Sequence, residues 1–486
     1  MSHLCGILPG PFRAFRCPSE DTRGMALRMI LSKLFERFVT KSPISVMARS
    51  AMEYALAPAA LDELFAERAE QQYTRDLLFS SMVDLMGMVV ARIEPSIHAA
   101  YQRVADTLPV SLTSVYNKLN GLEPAIAAAL VRHTAARLGP VVTEMGGQAC
   151  DLLPGYRVRI IDGNHFAATE RRLKVLHRSK AGPLPGHALV VLDPALMLAT
   201  EMIPCEDGHA QERSLSDEIL DLVQARDVWI ADRNFCTTTL LRGIVDRGGY
   251  FVIRQHAKLP LASRGSLRKC GSTATGEVFE QAVTIDLLDG QVLAARRVVV
   301  RLHQATRDGD PEIAVLTNLP KGVAAGVPVA ELYRDRWTLE TMFQSLTMML
   351  DGELKALGYP RAALFGFAVA LAAYNVLSTV QAALRATHGT EKVNEEVSGY
   401  YIANEVRTTQ MGMSVALEAP CWVPFQTMTA NSLASELMRY ARNVSLRALK
   451  RHPRGPKKPV PKRTRFTEKT HVSTARLLAE SRKKVP

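Results

Sequence analysis

Between residues 155 and 254 the chain alternates β-branched apolar runs with amphipathic ones, and this alternation restricts the fold more than any other feature. Residues 156–165 read as a strand that ends on a polar turn, and 173–177, 187–193 and 197–204 as further strands. Residues 212–224 have the spacing of an amphipathic helix. Residues 227–235 form a buried strand that stops at Asp-Arg, 237–248 a helix, and 250–254 a strand. Strands and helices in turn predict an α/β sheet with helices on its faces. From 256 to 330 the helices lapse and strand-and-turn text takes over, which reads as an all-β insertion.

Residues 332–347 then read as one helix with two chemically different faces. At about 100° per residue, Tyr333, Arg336, Glu340, Gln344 and Thr347 share a polar stripe roughly 80° wide, with Leu332, Leu339, Met342, Phe343 and Leu346 on the flank and far side. Taken alone, this stripe is accounted for by a solvated face with an Arg-to-Glu pair one turn apart. The acids upstream change that reading.

Two of the strands stop on an aspartate: Asp162 follows Ile-Ile and Asp232 follows Ile-Ala. Acids at the strand-to-loop edge of an α/β sheet converge where sites form. With Glu340 they would make a trio of carboxylates, the hard oxygen donors suited to a pair of Mg²⁺ ions, with Mn²⁺ as a substitute. Such a pair serves in-line phosphoryl displacement, so phosphodiester chemistry fits. Asp193 is the main rival acid, and Pro194 after it suggests a turn instead. Asn164 reads as a turn residue and His165 as incidental, the alternative being contact with metal-bound water.

The blocks Ile161-Asp-Gly-Asn164, Ala231-Asp-Arg-Asn-Phe235 and Tyr333, Arg336, Glu340 at spacings of three and four resemble the signature blocks of bacterial insertion-sequence DDE transposases, in the branch often called IS-four. The resemblance covers roughly 155 to 380. It implies a ribonuclease-H-like catalytic core with Asp162, Asp232 and Glu340 as catalytic metal ligands. It also implies Tyr333 and Arg336 on DNA phosphates near the cut, where a planar guanidinium can hold two oxygens. Arg233 is a further candidate for the DNA backbone. The family pattern continues with a lysine seven residues past the glutamate, where this chain has Thr347; Lys355 is the nearest substitute. Relatives act as dimers on paired DNA ends, so a homodimer on double-stranded DNA, at element ends and target, is the implied assembly.

The remaining chain divides around that core. Residues 1–25 are expected to be disordered and 26–150 to be a helical DNA-binding region. Within it, residues 110–121 resemble the second helix of a helix-turn-helix, with Tyr116, Asn117 and Lys118 towards DNA. The catalytic core spans 151–255 and 331–385, the β insertion 256–330, and a mixed helical region 386–446. The formal charge of +12 is concentrated at the end of the chain, where residues 447–486 carry 14 Lys and Arg against Glu468 and Glu480. That stretch reads as a basic disordered tail for a polyanion, with Lys457, Lys458, Lys462 and Arg463 at its centre.

Seven scattered cysteines, never spaced as CxxC, argue against a disulfide framework or structural zinc and favour a reducing cytoplasm, and the resemblance implies a bacterial, nucleoid-associated setting. Residues 362–384 are long enough to span a bilayer but carry Tyr374, Asn375, Ser378, Thr379 and Gln381, so a buried core helix and no membrane partner are expected. The reading is therefore a transposase that cleaves element ends and joins them to target DNA. Its rivals are a nuclease of the same fold that does not join strands and a catalytically decayed DNA-binding protein.

Overall fold

The computed structural model describes residues 33–72, 74, 76–177, 180–287, 290–306, 309–452 and 471–483. The stretch expected to be disordered at 1–25, and Lys457, Lys458, Lys462 and Arg463, lie outside these residues.

A mixed sheet organises the chain. Its strands are β1 (Arg157–His165), β3 (His187–Asp193), β4 (Leu198–Cys205), β5 (Asp227–Ala231), β6 (Tyr250–Arg254), β7 (Leu261–Ser263), β8 (Arg268–Thr273), β9 (Gly276–Asp286), β10 (Val292–Leu302) and β11 (Glu312–Thr317). They lie in the order β4-β3-β1-β5-β6-β11-β10-β9-β7, with β8 also on β9. β1, β5 and β6 are parallel neighbours, and β3 runs antiparallel to β1. The β-rich stretch after residue 256 extends this same sheet, because β11 pairs antiparallel with β6.

Strand periodicity of two assigns each face a layer. Val158, Ile160, Val228, Ile230 and Val252 point into a core shared with the N-terminal helices and the long Pro360–His388 helix. Ile161, Trp229, Ala231, Phe251 and Ile253 point the other way, onto the short helices Ser216–Leu220 and Thr238–Asp246. Cover on both faces is why these strands read as unbroken apolar runs.

The Pro360–His388 helix is the one helix among the described residues long and apolar enough to cross a membrane, and it lies inside the fold, with 94% of its most apolar window buried. Its polar residues face backbone. Asn375 donates to the Ala199 carbonyl at 2.9 Å and accepts from the Ala199 amide at 2.8 Å, and the Ser378 hydroxyl donates to the Met197 carbonyl at 2.6 Å.

Several expectations are corrected. Residues 332–347 are two helices, Gly326–Arg334 and Trp337–Met349, joined where Arg336 N–H reaches the Tyr333 carbonyl at 3.1 Å, one residue nearer than α-helix spacing. Residues 173–177 hold a single 3-10 turn at Lys174–Leu176 rather than a strand, and 212–224 a 3-10 turn at Glu212–Leu215 followed by the short Ser216–Leu220 helix. Part of the tail expected to be disordered is folded. β12 (His471–Ser473) pairs in parallel with β2 (Gly182–Leu184) and runs into the helix Thr474–Lys483. Ser473 and Thr474 are buried there, and Arg476 pairs with Asp207 at 2.6 Å, so backbone pairing and burial outweigh the local charge.

Candidate active site

Strand register brings the two aspartates together. β1 and β5 are parallel with Ile160 opposite Ile230, the last pair of their ladder; Asp162 lies two residues further along β1, and Asp232 two residues further along the chain, just past the end of β5. Both follow the parity of Ile160 and Ile230, which faces the helical layer. The Trp337–Met349 helix packs on β1 from that side and carries Glu340 in its first turn.

Arg336 stands between two of the acids. Its Nη1 donates to Asp162 Oδ2 at 2.9 Å and its Nη2 to Glu340 Oε1 at 2.5 Å. Arg336 is only 9% exposed. Burial works against its charge, yet Tyr333, Asp162, Glu340 and Asp232 outweigh burial and hold the guanidinium above its usual range. Asp162 is pushed up to about 6: burial dominates, the Arg336 charge opposes it, and the Glu212 and Asp232 carboxylates add to the rise. Tyr333 is buried and pushed up to about 12 by that burial, with the Arg336 guanidinium 6.0 Å from its ring centre. Both predicted phosphate contacts are thus turned inward here, Arg336 onto Asp162 and Glu340 and Tyr333 into the core beside Arg336.

Backbone holds the aspartates in place. Asp162 Oδ1 accepts from the Gly163 amide at 2.9 Å, and Asp232 caps the Arg233–Phe235 turn by accepting from the Arg233 amide. Arg233 is exposed and lines a cleft of about 410 Å³ with His165, Glu212, Asn234, Thr237 and His256. Asp193 does hold a turn, accepting from the Ala195 and Leu196 amides at 3.0 Å each.

Two further acids support the site, and no motif marked them. Glu353 accepts from Asn164 Nδ2 at 3.1 Å and from the Ala167 amide at 2.8 Å, tying the end of β1 to the segment after the Glu340 helix. Glu212 accepts from Asn234 Nδ2 at 3.2 Å and lies 3.7 Å from His165 Nε2. Burial works to raise Glu212, but His165 and Asn234 outweigh it and hold its carboxyl below the usual range. Their only sequence signal is polarity, which the chain's other acids share.

Among the described residues no three His, Cys, Asp or Glu side chains are already gathered at metal-ligand spacing. The Arg336 guanidinium lies between Asp162 and Glu340. The donor set nevertheless fits hard divalent cations: all the facing groups are carboxylates, and the space between two of them is filled by a positive charge.

The predicted helix-turn-helix residues lie on the Leu112–Gly121 helix. Asn117 is exposed and Tyr116 is partly buried against the core. Lys118 is turned inward: its Nζ donates to the Leu77 carbonyl at 2.6 Å over the Phe65 ring, and burial lowers its pKa. Its ammonium is committed to the bundle rather than presented to DNA. Lys355, the expected substitute for the missing lysine, is exposed. At Thr347 itself, Arg92 Nη2 donates to the backbone carbonyl at 2.8 Å, so a cation caps the end of the Glu340 helix.

No curated protein matches the sequence. A family model described as the transposase DDE domain matches residues 153–376, a span that holds both aspartates, Arg336 and Glu340. Residues 153–376 are thus similar to the DDE domain of transposases.

Proposed function

We propose that this chain is a DNA transposase that cleaves the ends of an insertion sequence and joins them to target DNA, using Asp162, Asp232 and Glu340 as ligands for Mg²⁺ or Mn²⁺. The observation that supports this reading is that Asp162 and Asp232 each lie two residues beyond the Ile160–Ile230 pair of neighbouring parallel strands, with Glu340 linked to Asp162 through one guanidinium. The strand order β4-β3-β1-β5-β6, in which β3 alone runs against the others, supports a ribonuclease-H-like core.

When bound, divalent cations supply activation of an attacking oxygen and stabilisation of the leaving one. The chain does the positioning. The Asp162 and Asp232 carboxylates are held by neighbouring amides, and Glu340 is presented by a helix whose apolar side is buried. Arg336, beside Asp162 and Glu340, would hold phosphate oxygens of the scissile strand through its planar fork. Trp337, 62% exposed beside Glu340, offers a flat surface on which an unpaired base can stack. Arg233 lies at the rim for backbone contact. Asn117 and Tyr116, and the basic stretch with Lys457, Lys458, Lys462 and Arg463, extend the DNA contact, and two copies act on paired ends in the bacterial cytoplasm.

The test is cleavage of DNA carrying the element's own ends in Mg²⁺. Asp162→Ala, Asp232→Ala and Glu340→Ala each abolish cutting while DNA binding persists; full activity in these variants refutes the assignment. Recovery of joined products in a plasmid integration assay separates a transposase from a nuclease that only hydrolyses.

A further inference from the structure

Glu212 sits outside the carboxylate trio yet touches the loops that carry both aspartates. It begins the Glu212–Leu215 turn, and its side chain is only 11% exposed. One oxygen takes the Asn234 amide, two residues past Asp232, and the other faces His165 Nε2, three residues past Asp162. The carboxylate also lies directly against the Gly163 Cα: a Cβ on that residue would run into Glu212 Oε1. Gly163 has no positive φ, so close approach of this carboxylate is what requires a glycine there.

We propose that Glu212 is a positioning residue that clamps the 162–165 strand end to the 232–234 turn and so fixes the spacing of Asp162 and Asp232. The two strands are hydrogen-bonded to each other only up to the Ile160–Ile230 level. Past that level their own ladder no longer sets the separation of the aspartates, and Glu212 bridges the gap from a third segment. The carboxylate accepts from Asn234 on one side and lies within ion-pair reach of His165 on the other. It is also a like charge beside Asp162, which suits a site whose acids are to be neutralised by added cations. His165 is held in turn by its stack on the fully buried His187, ring centres 4.7 Å apart, so the Asp162 side of the clamp is anchored on β3.

The proposal rests on the transposase reading for its functional meaning, and its test has a readout that does not. Asn234→Asp sets two carboxylates against each other. Adding Glu212→Gln restores a donor–acceptor pair with the roles exchanged. Hydrogen exchange on the protein alone is expected to accelerate at least about fivefold at amides 163–167 and 233–237 in Asn234→Asp, and to return to within about threefold of the unmodified protein in the double variant. Metal-dependent cleavage is expected to follow the same pattern, falling at least about tenfold and then recovering, as misplacement of reacting groups by a fraction of an ångström does. Gly163→Ala, which displaces Glu212 without changing its chemistry, is expected to loosen amides 233–237 as well.

Unchanged exchange in Asn234→Asp, equal acceleration in the single and double variants, or a Gly163→Ala protein with undisturbed amides at 233–237 overturns the clamp. Absence of cleavage by the unmodified protein, with the exchange pattern as expected, overturns the transposase reading and leaves the clamp standing.

Discussion

The guanidinium of Arg336 meets the carboxylate of Asp162 at 2.9 Å across 174 residues of chain, and the same guanidinium holds Glu340. A buried cation between two acids offsets part of their charge. Arg336→Ala is expected to lower cleavage at least about 100-fold, because a charged contact to the scissile phosphate is lost. It is also expected to destabilise the protein in chelator by about 1–3 kcal/mol, since Asp162 is left buried without its partner. Thermal unfolding with and without Mg²⁺ checks the second effect: the metal should recover more stability in the variant than in the unmodified protein.

Asp162 gives a pH dependence with a definite sign. Its folded pKa of about 6 lies above the ordinary 3.8, so the folded chain holds this proton more tightly than the unfolded one. Stability associated with that proton is full below pH 4 and is lost as pH rises to about 6. Asp162→Asn removes the burden. In chelator it is expected to raise stability by about 2–3 kcal/mol at pH 7.5, with the gain shrinking as pH falls from 6 towards 4. Denaturant melts at pH 4, 5 and 7.5 decide it, and a gain independent of pH counts against burial as the dominant cause.

Asn375 pairs with both backbone groups of Ala199, where β4 leaves register at the β3 bulge. Replacing it by leucine leaves a buried N–H and a buried carbonyl unpaired. Asn375→Leu is expected to cost about 2–4 kcal/mol in urea unfolding despite its better hydrophobicity.

These cases show what local text reveals and what it does not. Asp162 and Asp232 were legible because each ends an apolar run, and the polar residues inside 362–384 marked a helix that packs against protein. The parallel register that aligns the two acids is a long-range pairing, and nothing near either strand states it. Arg336 was expected on phosphate, whereas in the folded chain its nearest anions are the acids that strand register delivers. Glu212 and Glu353 act through contacts to residues 22 and 189 positions away, at Asn234 and Asn164 respectively, which no spacing rule reports. The folded end at 471–483 was hidden by its charge, since burial of Ser473 and Thr474 depends on a β2 edge nearly three hundred residues earlier.

That end supplies a further expectation. Deleting residues 471–486 uncovers β2 along its whole paired length, Gly182–Leu184, and removes the Arg476 partner of Asp207. Limited proteolysis of the truncated chain is expected to cut within residues 166–186 several-fold faster, as local opening of an unpaired segment requires. Equal cutting rates in the two proteins count against a structural role for the pairing.

One continuous apolar body runs from Phe35 in the first described helix through Ile160 and Ile230 to Tyr440, with the Pro360–His388 helix at its centre. The N-terminal helices are consequently not a reading head on a swivel. Whatever reorientation is needed to carry a scissile phosphate to the acids falls to the duplex, by bending, or to a neighbouring copy, by shifting as a whole. A fragment cut at residue 150 would leave its grease-lined underside bare to water and clump before it could grip anything.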